Sequence, residues 1–474
     1  MFKYLFFDDQ RLLLRQNLER QYGEVSIAGI YNDSKLTTSY GWVWVCRGTD
    51  NKVHMVYMGL DKDDPCLLAA AAVSDDGVNF VPRNTAAESG LTDPIVPNQI
   101  LPPCGEGTEI ACVITDHLAP PEERYKMLMC DCKYRMTEYR VIDSVYSSTD
   151  LIRWKEMPGS CWNKVGTEPI AGAFYNSVHN VFTILSRPDC GQRRVCIVET
   201  ADWHNFTEPE LCMQCDSLDP VLAEVYGMNA FEYDGIFIGI PLIYGNIPQI
   251  RMQKYRGGSM HGELAYSLDG RHWQRSLRTP FIDGAHPDLV KAFGKPQNMV
   301  FPCSTLRQQD GSVLIYAAVT DVEHGTPPGG QLGHDHIVIF KMRQDGFIRL
   351  TSADKNSDSL VAFREVCWNG GELSVNISAE NATCAVYEMV TQAFDTELRL
   401  SHEDCKPFSG NSCAWHPRWK NGATLDDFKG KTIVFEIKFR DGSIYSCSGN
   451  GTALMDLEAE RYRQFGEIRT RKGM

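Results

Sequence analysis

The sequence predicts an all-β chain. A five-bladed β-propeller should occupy residues 1–352, and a small β-sandwich ending in a charged tail should occupy residues 353–474. Three observations predict this. A strand-ending turn recurs along the first part of the chain. Short runs rich in Val, Ile, Tyr and Trp alternate there with Gly, Asp and Asn, as strands and turns do. Beyond about residue 352 alternating strands continue, but the turn does not recur.

The turn is clearest in Ser267-Leu-Asp-Gly-Arg-His-Trp273, which follows the apolar run Glu263-Leu-Ala-Tyr266. Ser and Asp side chains bond their own backbone in such turns, and Gly270 relieves the steric limit. Ser74 and Asp76 lead to Phe80, Ser148 and Asp150 to Trp154, and Thr200 and Asp202 to Phe206. Each copy has Ser or Thr two residues before the Asp and an aromatic four after it. A fifth, eroded copy is Arg343-Gln-Asp345-Gly346, with Phe347. Successive Asp positions are 52 to 76 residues apart, room for about four strands per unit, the size of a propeller blade. Unrelated strand turns in a sandwich are the plainer alternative.

The remaining elements follow in order. Residues 10–22 carry a short helical pattern or an irregular edge segment. Strand-like runs then fill five units, among them 40–45, 53–57 and 67–73 in the first and 299–301, 313–316 and 337–340 in the last. No stretch between them has sustained helical periodicity. Ser352 to Ser359 is polar and turn-rich and reads as a linker. Strands at 372–377, 384–388, 432–437 and 443–446 then suggest the sandwich.

The net charge of −14 and a pI near 5.4 favour solubility and argue against nucleic acid as a partner. No apolar segment reaches transmembrane length, so no membrane partner is expected. The start meets Asp8 and Asp9 too early for a signal peptide. The 17 cysteines, an odd number, are scattered through strand-like segments and read as small buried hydrophobes. A reducing cytoplasm with free thiols is the expectation. Cys212-Met-Gln-Cys215 has metal-ligand spacing but lacks a second pair, and Cys130-Asp-Cys132 is weaker, so neither a metal nor a cofactor is expected. The composition is compatible with a homo-oligomer.

The repeat lets equivalent positions be compared. Asp33, Glu109, Glu168 and Glu224 lie 34 to 45 residues before their turn Asp, where each unit's first strand begins. Glu109 and Glu168 share a longer match, in Gly107-Thr-Glu109 and Gly166-Thr-Glu168. The fifth unit has Gln297-Asn298 there. First strands line the channel of a propeller, so these residues should ring one mouth of it. Clustered carboxylates repel, so at least one should hold a proton near neutral pH while others stay ionised. That separation suits acid–base chemistry on a glycosidic bond. Taken singly, each is as well read as a solvated loop acid or a turn cap. His334-Asp-His336 alternates on a strand, placing both His on one side to bind metal or substrate, though a satisfied core His is the plainer reading. Trp42 could serve as a sugar platform or as blade packing. His117 and Arg187 could reach hydroxyls, and Gln297 could face the channel.

Several stretches resemble the five-bladed-propeller glycoside hydrolases, the superfamily of family 32 fructosidases and family 43 arabinanases and xylosidases. They are Leu5-Phe-Phe-Asp-Asp9, Ala119-Pro-Pro-Glu-Glu-Arg-Tyr-Lys126, Glu224-Val-Tyr-Gly-Met228 and Ala265 to Trp273. In the terminal part Leu373-Ser-Val-Asn376, Cys405 to Gly410 and Arg418-Trp-Lys420 add to it. The likeness is strongest to a bacterial family-32-like group with a C-terminal β-sandwich and covers nearly the whole chain. It implies an Asp nucleophile or base in blade one, an Asp that tunes pKa or holds hydroxyls in blade two, and a Glu general acid in blade three. Asp33, Glu109 and Glu168 take those places, with Glu in place of Asp in blade two and Glu224 as an extra carboxylate. Asn32-Asp33 resembles the Asn-Asp of fructosidases without the Pro-Asn-Gly that follows it there, and their Arg-Asp-Pro and Glu-Cys signatures are missing. The implied activity is glycoside hydrolysis of a small oligosaccharide, a furanoside such as a fructoside or arabinoside. A non-catalytic carbohydrate-binding propeller and a glycoside phosphorylase on the same fold are the alternatives.

Overall fold

A computed structural model describes residues 1–453 except 62–66, 86–87, 103–107, 132–143, 163–166, 189–192, 247–257, 325–334, 391–394 and 421. The chain is nearly all β and forms two compact units. Val25–Met342 is a five-bladed propeller, and Met1–Glu24 joins the described residues from Arg343 to Ala453 in a β-sandwich.

Each blade is an antiparallel meander of four strands. Blade 1 comprises Leu36–Arg47, Val53–Asp61, Leu67–Ser74 and Val81–Pro82. Blade 2 comprises Thr108–Thr115, Tyr125–Asp131, Ser144–Ser148 and Lys155–Cys161. Blade 3 comprises Thr167–Asn176, Val181–Pro188, Val195–Thr200 and Glu210–Met213. Blade 4 comprises Ala223–Tyr233, Ile236–Asn246, Ala265–Ser267 and Gln274–Arg275. Blade 5 takes Met299–Arg307, Val313–Thr320 and His336–Met342, then borrows Val25–Tyr31 from the start of the unit as its outer strand. The strand Gly258–Gly262 bridges blades 4 and 5, pairing with the end of Ile236–Asn246 and, in parallel, with Met299.

The innermost strands contact one another in turn around the ring, and Leu36–Arg47 meets Met299–Arg307 to close it. Second strands are covered on both faces by neighbouring blades and are therefore largely buried. Val313-Leu-Ile-Tyr-Ala-Ala-Val-Thr320 is buried throughout. Outer strands are exposed, so Pro82 is tolerated at an edge. Wedge-shaped cores fill the gaps between blades. One joins Tyr31, Tyr57, Leu68, Tyr316 and Ile339 across blades 1 and 5. Another joins Trp44, Met127, Phe182 and Trp203 across blades 1 to 3.

The repeated turn holds in four blades. Ser74, Ser148, Thr200 and Ser267 accept a hydrogen bond from the amide N–H three residues on, at 2.9, 3.0, 2.9 and 2.9 Å. That residue is left-handed in every copy: Gly77 (φ 77°), Leu151 (φ 64°), Trp203 (φ 62°) and Gly270 (φ 75°). A non-glycine there costs about 1–2 kcal/mol. Burial of both side chains offsets it, and Trp203 Nε1 also donates to Asp116 at 2.8 Å. Asp345 ends the corresponding strand of blade 5 but belongs to the sandwich, where it accepts from Lys3 (2.8 Å) and Ser446 (2.6 Å). The eroded fifth copy is therefore a different turn.

Three further expectations change. Residues 10–22 are two strands, Leu12–Gln16 and Leu18–Tyr22, separated by Asn17 at φ 55°. They pair with Leu360–Phe363 and Ile348–Ser352, and Phe2–Leu5 pairs with Ser446–Gly449, so the first 24 residues belong to the sandwich. Residues 353–358 are not a linker but the turn between two strands of that unit, which Asn17 grips by donating to the carbonyl oxygens of Asp354 and Ser357. The helix Pro287–Phe293 has no counterpart in the sequence reading. The long strands Ser374–Met389 and Thr432–Gly449 pair with each other and carry the shorter strands of both sandwich layers. Among the described residues no helix is long and apolar enough to cross a membrane.

The turn carboxylates link the fold to pH. Amide and side-chain hydrogen bonds from Asn205 and the amide of His204 hold Asp202 at about 2. Partial burial pushes Asp76, Asp150 and Asp269 up, but the hydrogen bonds they accept outweigh it and leave all three below the usual carboxylate range. Groups depressed in the folded state stabilise it above their unfolded pKa of about 3.9, and the gain is lost as pH falls through the folded values. Replacing all four by Asn is expected to make the acid limb of the stability profile shallower between about pH 4 and pH 2. Urea unfolding across that range measures it, and an unchanged slope would contradict the assignment.

Candidate active site

The innermost strands run the same way through the channel, so their starts share one mouth. Glu109 stands opposite Cys130, Glu168 opposite Arg187, and Glu224 opposite Tyr244. The side chains of Glu109 and Glu168 lie outside the described residues, as does His334.

Glu224 is the best-defined carboxylate of the group. It is buried, and Arg193 donates to its Oε2 at 2.9 Å. Two residues on, a register shift makes Tyr226 the extra residue of a bulge, and bulges re-aim side chains. The guanidinium carbons of Arg187 and Arg193 lie 4.9 and 5.3 Å from the centre of the Tyr226 ring, within cation–π range. Arg193 also lies 5.1 Å from the Tyr244 ring. The Tyr226 hydroxyl is 3.0 Å from His324 Nε2, and His324 is edge-on to both tyrosines. The backbone of His324 is pinned by its amide to Gly258 at 3.0 Å. Two guanidiniums, a carboxylate, an imidazole and two phenols thus meet at one place. Such a set can hold hydroxyl or anionic groups of a ligand and exchange protons with it.

A buried ion network holds the segment leading into Glu224. Arg275 lies between Asp219 (2.7 Å) and Glu263 (2.6 Å), and all three side chains are at most 4% exposed. Arg278 adds Asp216 (2.8 Å) and Asp219 (3.2 Å). Beside it a cavity of about 320 Å³ is lined by Arg193, Arg194, Asp219 and Glu224.

Asp33 is built differently. It is 6% exposed and accepts from the amides of Lys35 (2.7 Å) and Leu36 (3.2 Å), from Asn98 Nδ2 (3.0 Å) and from the Tyr57 hydroxyl. Burial, then Tyr31 and Asp33 itself, push the Tyr57 phenol well above its usual range, which keeps it a donor. Four donors on two oxygens suit a carboxylate that ties the closing strand Val25–Tyr31 to the first strand of blade 1.

The other expected contacts separate. Arg187 is at the mouth. Trp42 is buried at the waist of the channel, 6.3 Å from Phe301. His117 follows the end of its strand and so lies at the opposite mouth, edge-on to Tyr175 at 4.5 Å. Gln297 is buried and donates to its own loop at Lys295 O (3.1 Å). His336 is occupied by Asn32 Oδ1 (2.6 Å) and stacked on Phe293. His117, Trp42 and His336 therefore do not join the mouth cluster, because strand direction and neighbouring side chains place them elsewhere. Cys212 packs in a core between blades 3 and 4, and burial pushes the Cys215 thiol up to about 12. Among the described residues no three His, Cys, Asp or Glu side chains gather as a metal site.

The sequence reading missed Arg193, Tyr226, Tyr244 and His324. A signal for one was present, since Tyr226 lies within Glu224-Val-Tyr-Gly-Met228.

Arg275→Met should strip Asp219 and Glu263 of their shared buried partner, leaving Asp219 only Arg278, and lower stability by about 3–5 kcal/mol in urea unfolding. Asp33→Ala should remove the acceptor shared by Tyr57, Asn98 and the amides of Lys35 and Leu36, at a cost of about 2–3 kcal/mol read by the same method. A loss below about 0.5 kcal/mol in either variant would remove its structural role.

No protein-family model and no curated protein matches the sequence. Solved structures do. A glycosyl hydrolase from Bacteroides ovatus is 14% identical, with a TM-score of 0.42 over 67% of this chain and 94% of that one. A structure from work on the GH130 family of mannoside phosphorylases, which contains glycoside hydrolases that target β-1,2 mannosidic linkages in Candida mannan, is 14% identical. Its TM-score is 0.41 over 67% of this chain and 94% of that one. An N-acetylgalactosamine deacetylase from F. plautii in complex with blood group B trisaccharide is 14% identical, with a TM-score of 0.42 over 69% and 95%. At these values the likenesses do not bear on the chemistry of the site.

Proposed function

We propose that the chain is a glycoside-processing enzyme, a glycosidase acting on a small furanoside such as a fructoside or arabinoside at the mouth of the propeller. The observation that carries this reading is the register of Glu109, Glu168 and Glu224 at the starts of three successive innermost strands, with Glu224 set among Arg193, Tyr226 and His324. In this reading Glu168 protonates the glycosidic oxygen as the leaving alcohol departs. A second carboxylate, Glu109 or Glu224, either deprotonates the water that attacks the anomeric carbon or attacks that carbon itself, forming a glycosyl ester that water then hydrolyses. Arg187 and Tyr226 hold the sugar, and the Arg275 network keeps Glu224 in place. Asp33 is assigned to ring closure, because its oxygens already serve four donors.

A phosphorylase is the second reading, favoured by the two guanidiniums on Tyr226, which suit a phosphate acceptor. Glu168→Gln is expected to reduce turnover of the best substrate in a glycoside panel by about 100- to 10,000-fold, leaving substrate affinity and thermal stability unchanged. Turnover at the wild-type rate would remove Glu168 from the acid's role. Release of sugar phosphate only when inorganic phosphate is present would select the second reading. Saturable binding with no product under either condition would identify a carbohydrate-binding propeller and overturn both.

A further inference from the structure

The far end of the channel carries a second pocket. A cavity of about 570 Å³ opens there, within the range of small-ligand sites, and every innermost strand contributes to its wall. Cys46, Thr115, Tyr175, Asn229 and Thr305 represent the five blades. All lie in the later part of their strands, at the end away from Glu224.

This pocket is separate from the mouth cluster. Between them the channel narrows to a void of about 20 Å³, walled by Trp42, Trp44, Met228, Leu242 and Pro302. Gly172 lets blades 3 and 4 close in. A Cβ there would come 2.7 Å from the Met228 carbonyl oxygen. The described void has room for about one water-sized group.

The waist has unmet chemistry. Among the described residues, Trp42 Nε1 and Asn229 Nδ2 are buried N–H donors without a hydrogen-bond partner, and both residues line the same void. Asn229 also lines the far cavity, so the void is its floor. Leaving a buried donor unpaired costs about 1–3 kcal/mol, so two beside one void call for an oxygen that accepts from both. At the rim Ser177 donates to Glu232 at 2.9 Å, and the described lining has no Lys or Arg. An anion is therefore disfavoured. Edges of Tyr175 and His117 supply apolar contact beside the hydroxyls of Thr115, Ser304 and Thr305.

From these features we infer that the far mouth is a binding site for a small neutral polyhydroxyl compound of monosaccharide size, with one hydroxyl oxygen seated at the waist on Trp42 and Asn229. The site is independent of the chemistry proposed for the mouth with Glu224.

Crystals soaked with D-fructose, L-arabinose or D-mannose, paired with calorimetric titration in solution, test this. At least one sugar should occupy the far mouth with an oxygen in hydrogen-bond reach of both donors. Ser177→Trp fills the rim, and Trp42→Phe deletes the N–H while keeping a ring. Each should weaken binding about tenfold or more, and D-glucuronate should bind at least tenfold more weakly than the neutral sugars. Tyr226→Ala, at the other mouth, should leave this binding intact. Density for water alone at the far mouth in every soak would overturn the assignment. So would sugar binding that survives both far-mouth variants but is lost in Tyr226→Ala.

Discussion

Closure of the ring governs this structure. A propeller is stable only if its first and last blades meet, and here one strand makes the join. Val25–Tyr31 pairs along His336–Met342 and then turns directly into the innermost strand of blade 1. The turn is held by a buried carboxylate whose donors come from the turn itself, the second strand of blade 1 and the segment before blade 2. Because the outer edge of the last blade is formed by the segment that opens the unit, neither end can be displaced without opening a sheet. The wedge of Tyr31, Tyr57, Tyr316 and Ile339 packs at the same seam. Ladder hydrogen bonds and apolar burial thus reinforce one junction.

The rigidity of that ring is what gives position its meaning. Blades of similar build bring equivalent residues to equivalent heights in the channel. Residues at strand starts share one mouth, residues near strand ends share the other, and the aromatic waist divides them. The mouth with Glu224 is rich in charge held by charge. Arg193 answers Glu224, while Arg275 answers Asp219 and Glu263. The far mouth is nearly uncharged, with donors and hydroxyls beside apolar and aromatic side chains. Two ends of one channel therefore offer different solvation to a ligand.

Much of the architecture was legible in the sequence because the repeated turn is local chemistry. Ser or Thr, Asp and the residue after them settle their hydrogen bonds within four positions. Strand runs between the turns were legible because burial on both faces demands unbroken apolar stretches. What escaped depends on distant partners. Leu12, Leu13, Leu14 and Leu18 match a helical period, and only pairing with residues near 350 and 361 makes them strands. Asp33 looked like a channel acid because its partners Tyr57 and Asn98 cannot be inferred from its neighbours. Tyr226 and His324 are 98 residues apart and are brought together by a bulge, which breaks the alternation a sequence reading relies on. The carboxylates at strand starts were legible as a register, whereas Arg187 comes from the second strand of blade 3 and Arg193 from just before its third, which the register did not cover.

The interleaving of the two units has a consequence for synthesis. Phe2–Leu5 is made well before its partner Ser446–Gly449, which follows some 440 residues later. At about 5–20 residues per second, that is a delay of roughly 20–90 s. The propeller, complete at Met342, can form while Phe2, Tyr4, Phe6 and Phe7 still lack the strands that bury them. A nascent chain stalled between the units would therefore present a folded ring preceded by a sticky, unpaired segment. Chaperone demand during translation should concentrate on that segment rather than on the blades.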